Sequence, residues 1–199
     1  MNICINIIVP ALKRLTLRIS QEYYDDIDFK ILIDTPMLEY IHLGDAYMAA
    51  YSVTSLPSLV EAILDVGMDY HDEDYIGDDN RSIRAIELIR GLSNAKYLSV
   101  INGASAALDR ADQVLPILHG VTSLELDDLP LAGLSLIPRF LESAPNLKEV
   151  VVKIQPDEAV MLNIYRQTVT GDSHLPLQQI RKGMTVLRTW TGEESFPIV

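Results

Sequence analysis

Cysteine is nearly absent from this 199-residue sequence. The one thiol, Cys4, excludes an internal disulfide framework and a cysteine-rich zinc site. No apolar run approaches the roughly 18 residues of a membrane span, and the short apolar opening "MNICINIIVP" lacks the basic stretch of a signal peptide. Basic charge is scarce as well. Lys and Arg total 16 against 28 Asp and Glu, a net charge of −12, which argues against general attraction to nucleic acid or an anionic membrane. With no secretory signal, the "NRS" sequon at Asn80 reads as chance, and the expected place is inside the cell, in cytoplasm or nucleus.

Catalytic patterns are missing too. There is no glycine-rich phosphate loop, and His42, His71, His119 and His174 are scattered without metal-ligand spacing. "GDSH" at Gly171–His174 resembles the start of a serine-hydrolase block but follows no clear strand, so a hydrolase built on Ser173 and His174 is the least favoured reading. We expect no catalytic, cofactor-binding or metal-binding residues, and no enzyme.

What is present is a repeat. The 48% apolar content suits a folded chain, and much of it recurs as "PALKRLTL", "PMLEYIHL", "PSLVEAIL", "SNAKYLSV", "HGVTSLEL" and "PNLKEVVV". The first apolar positions are Leu12, Leu38, Leu59, Ala95, Val121 and Leu147, spaced by 26, 21, 36, 26 and 26 residues. An L-x-x-L-x-L core at a period of about 20–29 residues is the mark of leucine-rich repeats. The expected fold is α/β: a leucine-rich-repeat solenoid over residues 1–154, with a curved parallel sheet of about six strands and helical or irregular return segments. Alternation in each strand turns pairs such as Leu15 and Leu17, or Leu124 and Leu126, inward. One unit cannot bury that face alone, so units must stack. The usual asparagine after the core is missing.

Among the returns, "RSIRAIELIRGLSN" has helical spacing with Gly91 available as a stop. "LAGLSLIPRFLESAPN" predicts a second helix with Pro138 in its first turn. "GDAYMAAYSVTSLP" is too short for much helix and reads as extended or turn. The longest interval carries an irregular acidic insertion at about 67–81, with six acids between Asp69 and Asp79. Asp72, Asp74 and Gly77 match three positions of a calcium loop, but Ile76 and Ile83 stand where ligands are needed, so a solvated insertion is the better reading. Residues 155–199 diverge from the pattern and are expected to be a cap or partly disordered. Within them "EAVMLNIYRQTV" predicts a helix and "MTVLRTW" a final strand.

The positions two, four and six after each first apolar residue should share the open, concave face. From these the candidate protein-binding residues are Arg14, Arg18, Tyr40, His42, Glu61, Tyr97, Glu125 and Glu149. Charge runs from basic at the first strand to acidic at the third and fifth, with the two tyrosines as aromatic anchors. Such a mixture suits a protein partner.

Taken together, "ALKRLTLRIS", "IDTPMLEYIHLGD", "LPSLVEAILDV", "LIRGLSNAKYLSV", "LHGVTSLEL" and "FLESAPNLKEVVVKI" resemble, in wording and order, the leucine-rich region of the plant F-box/LRR family. Members often end in an FBD segment, and the resemblance covers about residues 9–154. It implies a substrate-recognition region of an SCF ubiquitin ligase, in which an N-terminal F-box docks on the linker subunit and the repeats present an unidentified target protein. Here only eleven residues precede Leu12, leaving no visible F-box and no visible module for the linker subunit. "LPSLVEAILDVGM" is superficially similar to an F-box opening but lies in phase with the repeats and reads as a strand. The expected function is a non-catalytic protein-interaction module lacking the F-box. The alternative is a truncated fragment of such a receptor with no independent function.

Overall fold

The computed structural model describes residues 2–19, 28–46, 48–67, 80–101, 103–111, 113–129, 131–154 and 186–187. The first half of the chain is stranded: β1 (Asn2–Ile8), β2 (Arg14–Ile19), β3 (Asp28–Asp34), β4 (Tyr40–Asp45), β5 (Ala50–Val53) and β6 (Glu61–Val66). Helices then alternate with strands: α1 (Asn80–Gly91), β7 (Tyr97–Ile101), α2 (Gly103–Asp109), β8 (Ser123–Leu129), a 3-10 turn (Leu131–Ser135), α3 (Leu136–Ser143) and β9 (Glu149–Ile154). A short β10 (Val186–Leu187) follows. The architecture is mixed α/β with two parallel sheets.

Each apolar motif makes its strand by the same local device. The amide of the first apolar residue donates to the carbonyl three residues back, as Leu12 to Val9, Leu38 to Thr35, Leu59 to Leu56, Ala95 to Leu92, Val121 to Leu118 and Leu147 to Ala144, at 3.0–3.3 Å. Pro10, Pro36, Pro57 and Pro145 fall second in these turns, where the fixed proline φ favours the bend. Past the turn, one carbonyl takes two amides from the next repeat. Lys13 O accepts from Glu39 and Tyr40, Glu39 O from Val60 and Glu61, Val60 O from Lys96 and Tyr97, Lys96 O from Thr122 and Ser123, and Thr122 O from Lys148 and Glu149. This ladder sets the register before the strands pair.

The long sheet runs β2-β4-β6-β7-β8-β9-β10, all parallel. Its inward rows are the apolar repeat positions: Leu38, Ile41 and Leu43 are fully buried, as are Leu98 and Val100, and Leu124 and Leu126. At the β2 edge the equivalents Leu12, Leu15 and Leu17 are only half-buried. The return segments form a second layer over this face. Its first part is a parallel three-stranded sheet, β1-β3-β5. It continues through α1 against β5, α2 against α1, and then the 3-10 turn and α3 beside α2. One apolar core lies between the layers, with Ile31, Ile33, Ile86, Leu88, Leu108, Leu136 and Phe140 from the return side.

Both predicted helices are present, α1 ending at Gly91 and α3 holding Pro138 in its first turn. "GDAYMAAYSVTSLP" is extended enough to contribute β5. The apolar opening forms β1, and "GASAALD" forms α2; the repeat pattern predicts neither, because one lies ahead of the first repeat and the other is too short to show a helical period. Val186–Leu187 of "MTVLRTW" extends the long sheet beyond β9. The acidic stretch 68–79 with its calcium-like positions, the helix predicted in "EAVMLNIYRQTV", and the Ser173–His174 pair lie outside the described residues.

Close packing of successive returns depends on two glycines. Gly67, with φ of 76°, meets Gly103 at the start of α2 so closely that a Cβ on Gly103 would lie 0.9 Å from the Gly67 carbonyl oxygen. Arg139 of α3 ties the next contact. Its guanidinium donates to Leu108 O at 2.7 Å, Ala111 O at 3.0 Å and Gln113 O at 2.8 Å, covering carbonyls at and beyond the end of α2.

Candidate functional site

Strand register places all eight candidate residues on one face of the long sheet, opposite the core. One row runs Arg14, Tyr40, Glu61, Tyr97, Ser123, Glu149 across six successive strands. The next runs Thr16, His42, Ile63, Ser99, Glu125, Val151. Arg18, Gly44 and Asp65 begin a third. Most of these side chains are partly exposed, whereas Ser99 is buried. The alternation of strand side chains, with the returns occupying the other face, causes this division.

The structure joins the candidates into separate local groups. At the basic end the Arg14 guanidinium lies 3.9 Å from the centroid of the Tyr40 ring, a cation–π contact that fixes both side chains. Towards the other end the Tyr97 hydroxyl donates to Glu125 at 2.7 Å. Lys153 donates to the other oxygen of Glu125 at 2.6 Å and to Asp127 at 3.0 Å. Ser123 donates to Glu149 at 3.1 Å. Among the described residues, the His42, Glu61 and Arg18 side chains make no hydrogen bond or ion pair to another candidate; Arg18 instead lays its stem beside Gly44, where a Cβ would meet Arg18 Cγ at 3.4 Å.

The linked group sets its own ionisation. Burial, then the hydrogen bond to Glu125 and the charge of that carboxylate, push the Tyr97 hydroxyl up to about 12. Burial alone would raise Glu125, but the hydrogen bonds from Lys153 and Tyr97 outweigh it and hold the carboxyl below its usual value. Lys153 is raised chiefly by its bond to Glu125, against partial burial. At neutral pH Tyr97 is therefore a neutral phenol, Lys153 an ammonium and Glu125 a carboxylate. Lys153 and Asp127 occupy open-face repeat positions but were not singled out. Their opposite charges at matching positions of neighbouring repeats were the available signal.

Among the described residues no group of three or more His, Cys, Asp or Glu is arranged to hold a metal ion. No helix among them is long and apolar enough to cross a membrane.

No protein-family model matches the chain, and no solved structure does. Curated proteins do match. An Arabidopsis thaliana F-box/LRR-repeat protein is 30% identical over 149 residues, 72% of this chain and 38% of that protein. A second F-box/LRR-repeat protein of the same plant is 29% identical over 143 residues, 72% of this chain and 30% of its own length. A putative F-box/FBD/LRR-repeat protein from Arabidopsis thaliana is also 29% identical over 143 residues, covering 72% of this chain and 28% of itself. The chain thus spans about a third of the length of the curated relatives it matches. Across that shared region, this chain is a relative of the plant F-box/LRR-repeat proteins.

Proposed function

We propose that this chain is a non-catalytic protein-binding module: a leucine-rich-repeat solenoid whose open sheet face receives a target protein. It corresponds to the substrate-recognition region of an SCF ubiquitin-ligase receptor, working in cytoplasm or nucleus. Residues 1–154 form the repeat unit, interrupted at about 67–81 by the acidic insertion, and 155–199 form a divergent terminal segment.

One observation carries this reading. Six consecutive strands align Arg14, Tyr40, Glu61, Tyr97, Ser123 and Glu149 in a single row, at least partly exposed, with Thr16, His42, Ile63, Ser99, Glu125 and Val151 aligned beside it. A continuous ordered surface with two half-buried tyrosines and mixed charge suits a protein partner. The similarity to F-box/LRR-repeat proteins supports the same reading. The target is a protein, not nucleic acid or membrane.

The test is affinity purification of the tagged chain from plant cells, with mass spectrometry of the retained proteins, alongside the Tyr40→Ala plus Tyr97→Ala variant. The expected result is a retained target that the variant loses. Equal retention by both forms would reject the site assignment. Retention of chaperones alone would favour a fragment without independent function. Recovery of the SCF linker subunit would show that the chain reaches the ligase directly or through a partner.

A further inference from the structure

The carboxylates of the open face are not equally provided for. On β8, Glu125 takes hydrogen bonds from Tyr97 and Lys153, and Asp127 takes one from Lys153. On β9, Glu149 accepts from Ser123. On β6, the Glu61 and Asp65 side chains have no hydrogen bond or ion pair among the described residues. Neither neighbouring strand, β4 or β7, contains a lysine or arginine. The open-face neighbours of β6 in register are instead Tyr40, His42, Gly44, Tyr97 and Ser99.

Glu61 is also framed. In register it lies between Tyr40 and Tyr97, one strand spacing of about 4.8 Å to either side. Both tyrosines are held by strands on their far sides. Tyr40 has the Arg14 guanidinium of β2 at 3.9 Å from its ring centroid, and Tyr97 has its 2.7 Å bond to Glu125 of β8. The Arg14 contact shows that a ring of this row takes a cation. Two anchored tyrosines beside a carboxylate without a donor make a preformed seat for a cationic group.

Asp65 stands on the same face four residues further along β6, about 13 Å away, with Ile63 midway. Ile63 is partly exposed and Asp65 exposed. Along the strand the open face thus reads acid, apolar, acid. An extended segment laid over β6 spaces its own side chains at the same interval, and base, apolar, base meets each of them. The net charge of −12 favours such a guest over a second copy, which would carry the same charge.

We propose that β6 is where the open face reads its target, and that the target offers an extended basic segment. One arginine or lysine enters between Tyr40 and Tyr97 to meet Glu61, a second four residues on meets Asp65, and an apolar residue between them covers Ile63. This rests on the open-face reading above and names the chemistry of its partner.

The test uses the full 199-residue chain, isotope-labelled, titrated with the synthetic peptide GSRTVTRSG. Two controls accompany it: GSRRTVTSG, of the same composition with its arginines adjacent, and the acidic GSETVTESG. Shifts should concentrate at Tyr40, Glu61, Ile63, Asp65 and Tyr97. The adjacent-arginine peptide should bind at least about threefold more weakly, and the acidic one not at all. Glu61→Gln plus Asp65→Asn should weaken the first peptide at least about tenfold while leaving the β8 and β9 resonances in place. Equal binding of the two basic peptides would overturn the proposal, since only the general attraction of an acidic chain would remain. Shifts centred on Glu125 and Glu149, or an unchanged affinity of the double variant, would overturn it too. So would a concentration-dependent dimer that the double variant abolishes, because a second copy would then be the guest. In the target purification, loss by the Tyr40→Ala plus Tyr97→Ala chain with full retention by Glu61→Gln plus Asp65→Asn would remove this proposal and leave the open-face reading standing. Full retention by both would remove both.

Discussion

The Tyr51 hydroxyl of β5 donates a 2.9 Å hydrogen bond to the buried Asp45 carboxylate of β4, joining the short sheet to the long one. The Ala49 amide donates to the same carboxylate oxygen at 2.6 Å. Burial, and secondarily the Asp45 charge, push the ionisation of Tyr51 far above that of an ordinary phenol. Tyr51→Phe takes one donor from a buried carboxylate and should cost about 1–3 kcal/mol. Urea unfolding of the two proteins measures it, and an unchanged midpoint would show that the bond is not stabilising.

The contact of Gly67 with Gly103 leaves no room for a methyl group. Gly103→Ala should lose on the order of 3–5 kcal/mol or fail to fold, because backbone rather than a flexible side chain must move. Gly44→Ala is the matched control: its added methyl would meet Arg18 Cγ at 3.4 Å and the Leu17 carbonyl oxygen at 3.9 Å, both ordinary contacts, and the expected change is within about 1 kcal/mol. Thermal unfolding of both variants distinguishes the two cases.

Position along the stack should decide the cost of losing a repeat leucine. Leu38 is fully buried, and Leu38→Ala should cost about 2–5 kcal/mol. Leu12 occupies the same repeat position at the half-open end, and Leu12→Ala should cost roughly half as much. Equal losses in denaturant midpoint would mean that the first repeat is covered as completely as the second.

Two lysine ion pairs of similar length should differ in worth. Lys13 and Glu39 meet at 2.7 Å with both side chains about half exposed, so Lys13→Met should change stability by less than about 0.5 kcal/mol. Lys153 meets Glu125 at 2.6 Å, with the glutamate 19% exposed, and also holds Asp127. Lys153→Met should cost about 1–2 kcal/mol, since it leaves a partly buried carboxylate short of a donor. Salt titration of the unfolding midpoint checks the ordering.

The same group predicts opposite limbs of the pH profile. Glu125 is held below its usual 4.5, so its contribution is present above that value and is lost as pH falls. Tyr97 binds its proton more tightly folded than unfolded. Its contribution is complete below pH 10 and is lost as pH rises toward 12. Glu125→Gln should shallow the acid limb, and Tyr97→Phe should shallow the alkaline one, in unfolding midpoints measured across pH.

Much of this fold was legible because the repeat motif is local chemistry. A turn, holding a proline in four of the six repeats, an apolar residue closing it and alternating apolar residues beyond it specify six strands without reference to distant residues. The helix at Asn80–Gly91 was legible for the same reason, its period being long enough to read. β1 and α2 were not. Ile3, Ile5 and Ile7 have a strand's alternation but no repeat around them, and seven residues of α2 span barely two turns. The candidate face was legible from parity alone, yet its couplings were not: nothing in the linear order shows that Tyr97, Glu125 and Lys153 share hydrogen bonds while Glu61 stands apart.

By itself the sequence determined the number of repeat strands, the face each side chain takes and the acidic balance, because turn chemistry and alternation act within a few residues. Only tertiary structure decided that the returns form a second layer passing from strand to helix. It alone decided that Asp45 and Tyr51 bind the layers together. Those outcomes depend on which repeat stacks on which, and stacking is settled by the fit of whole units rather than by any residue's own preference.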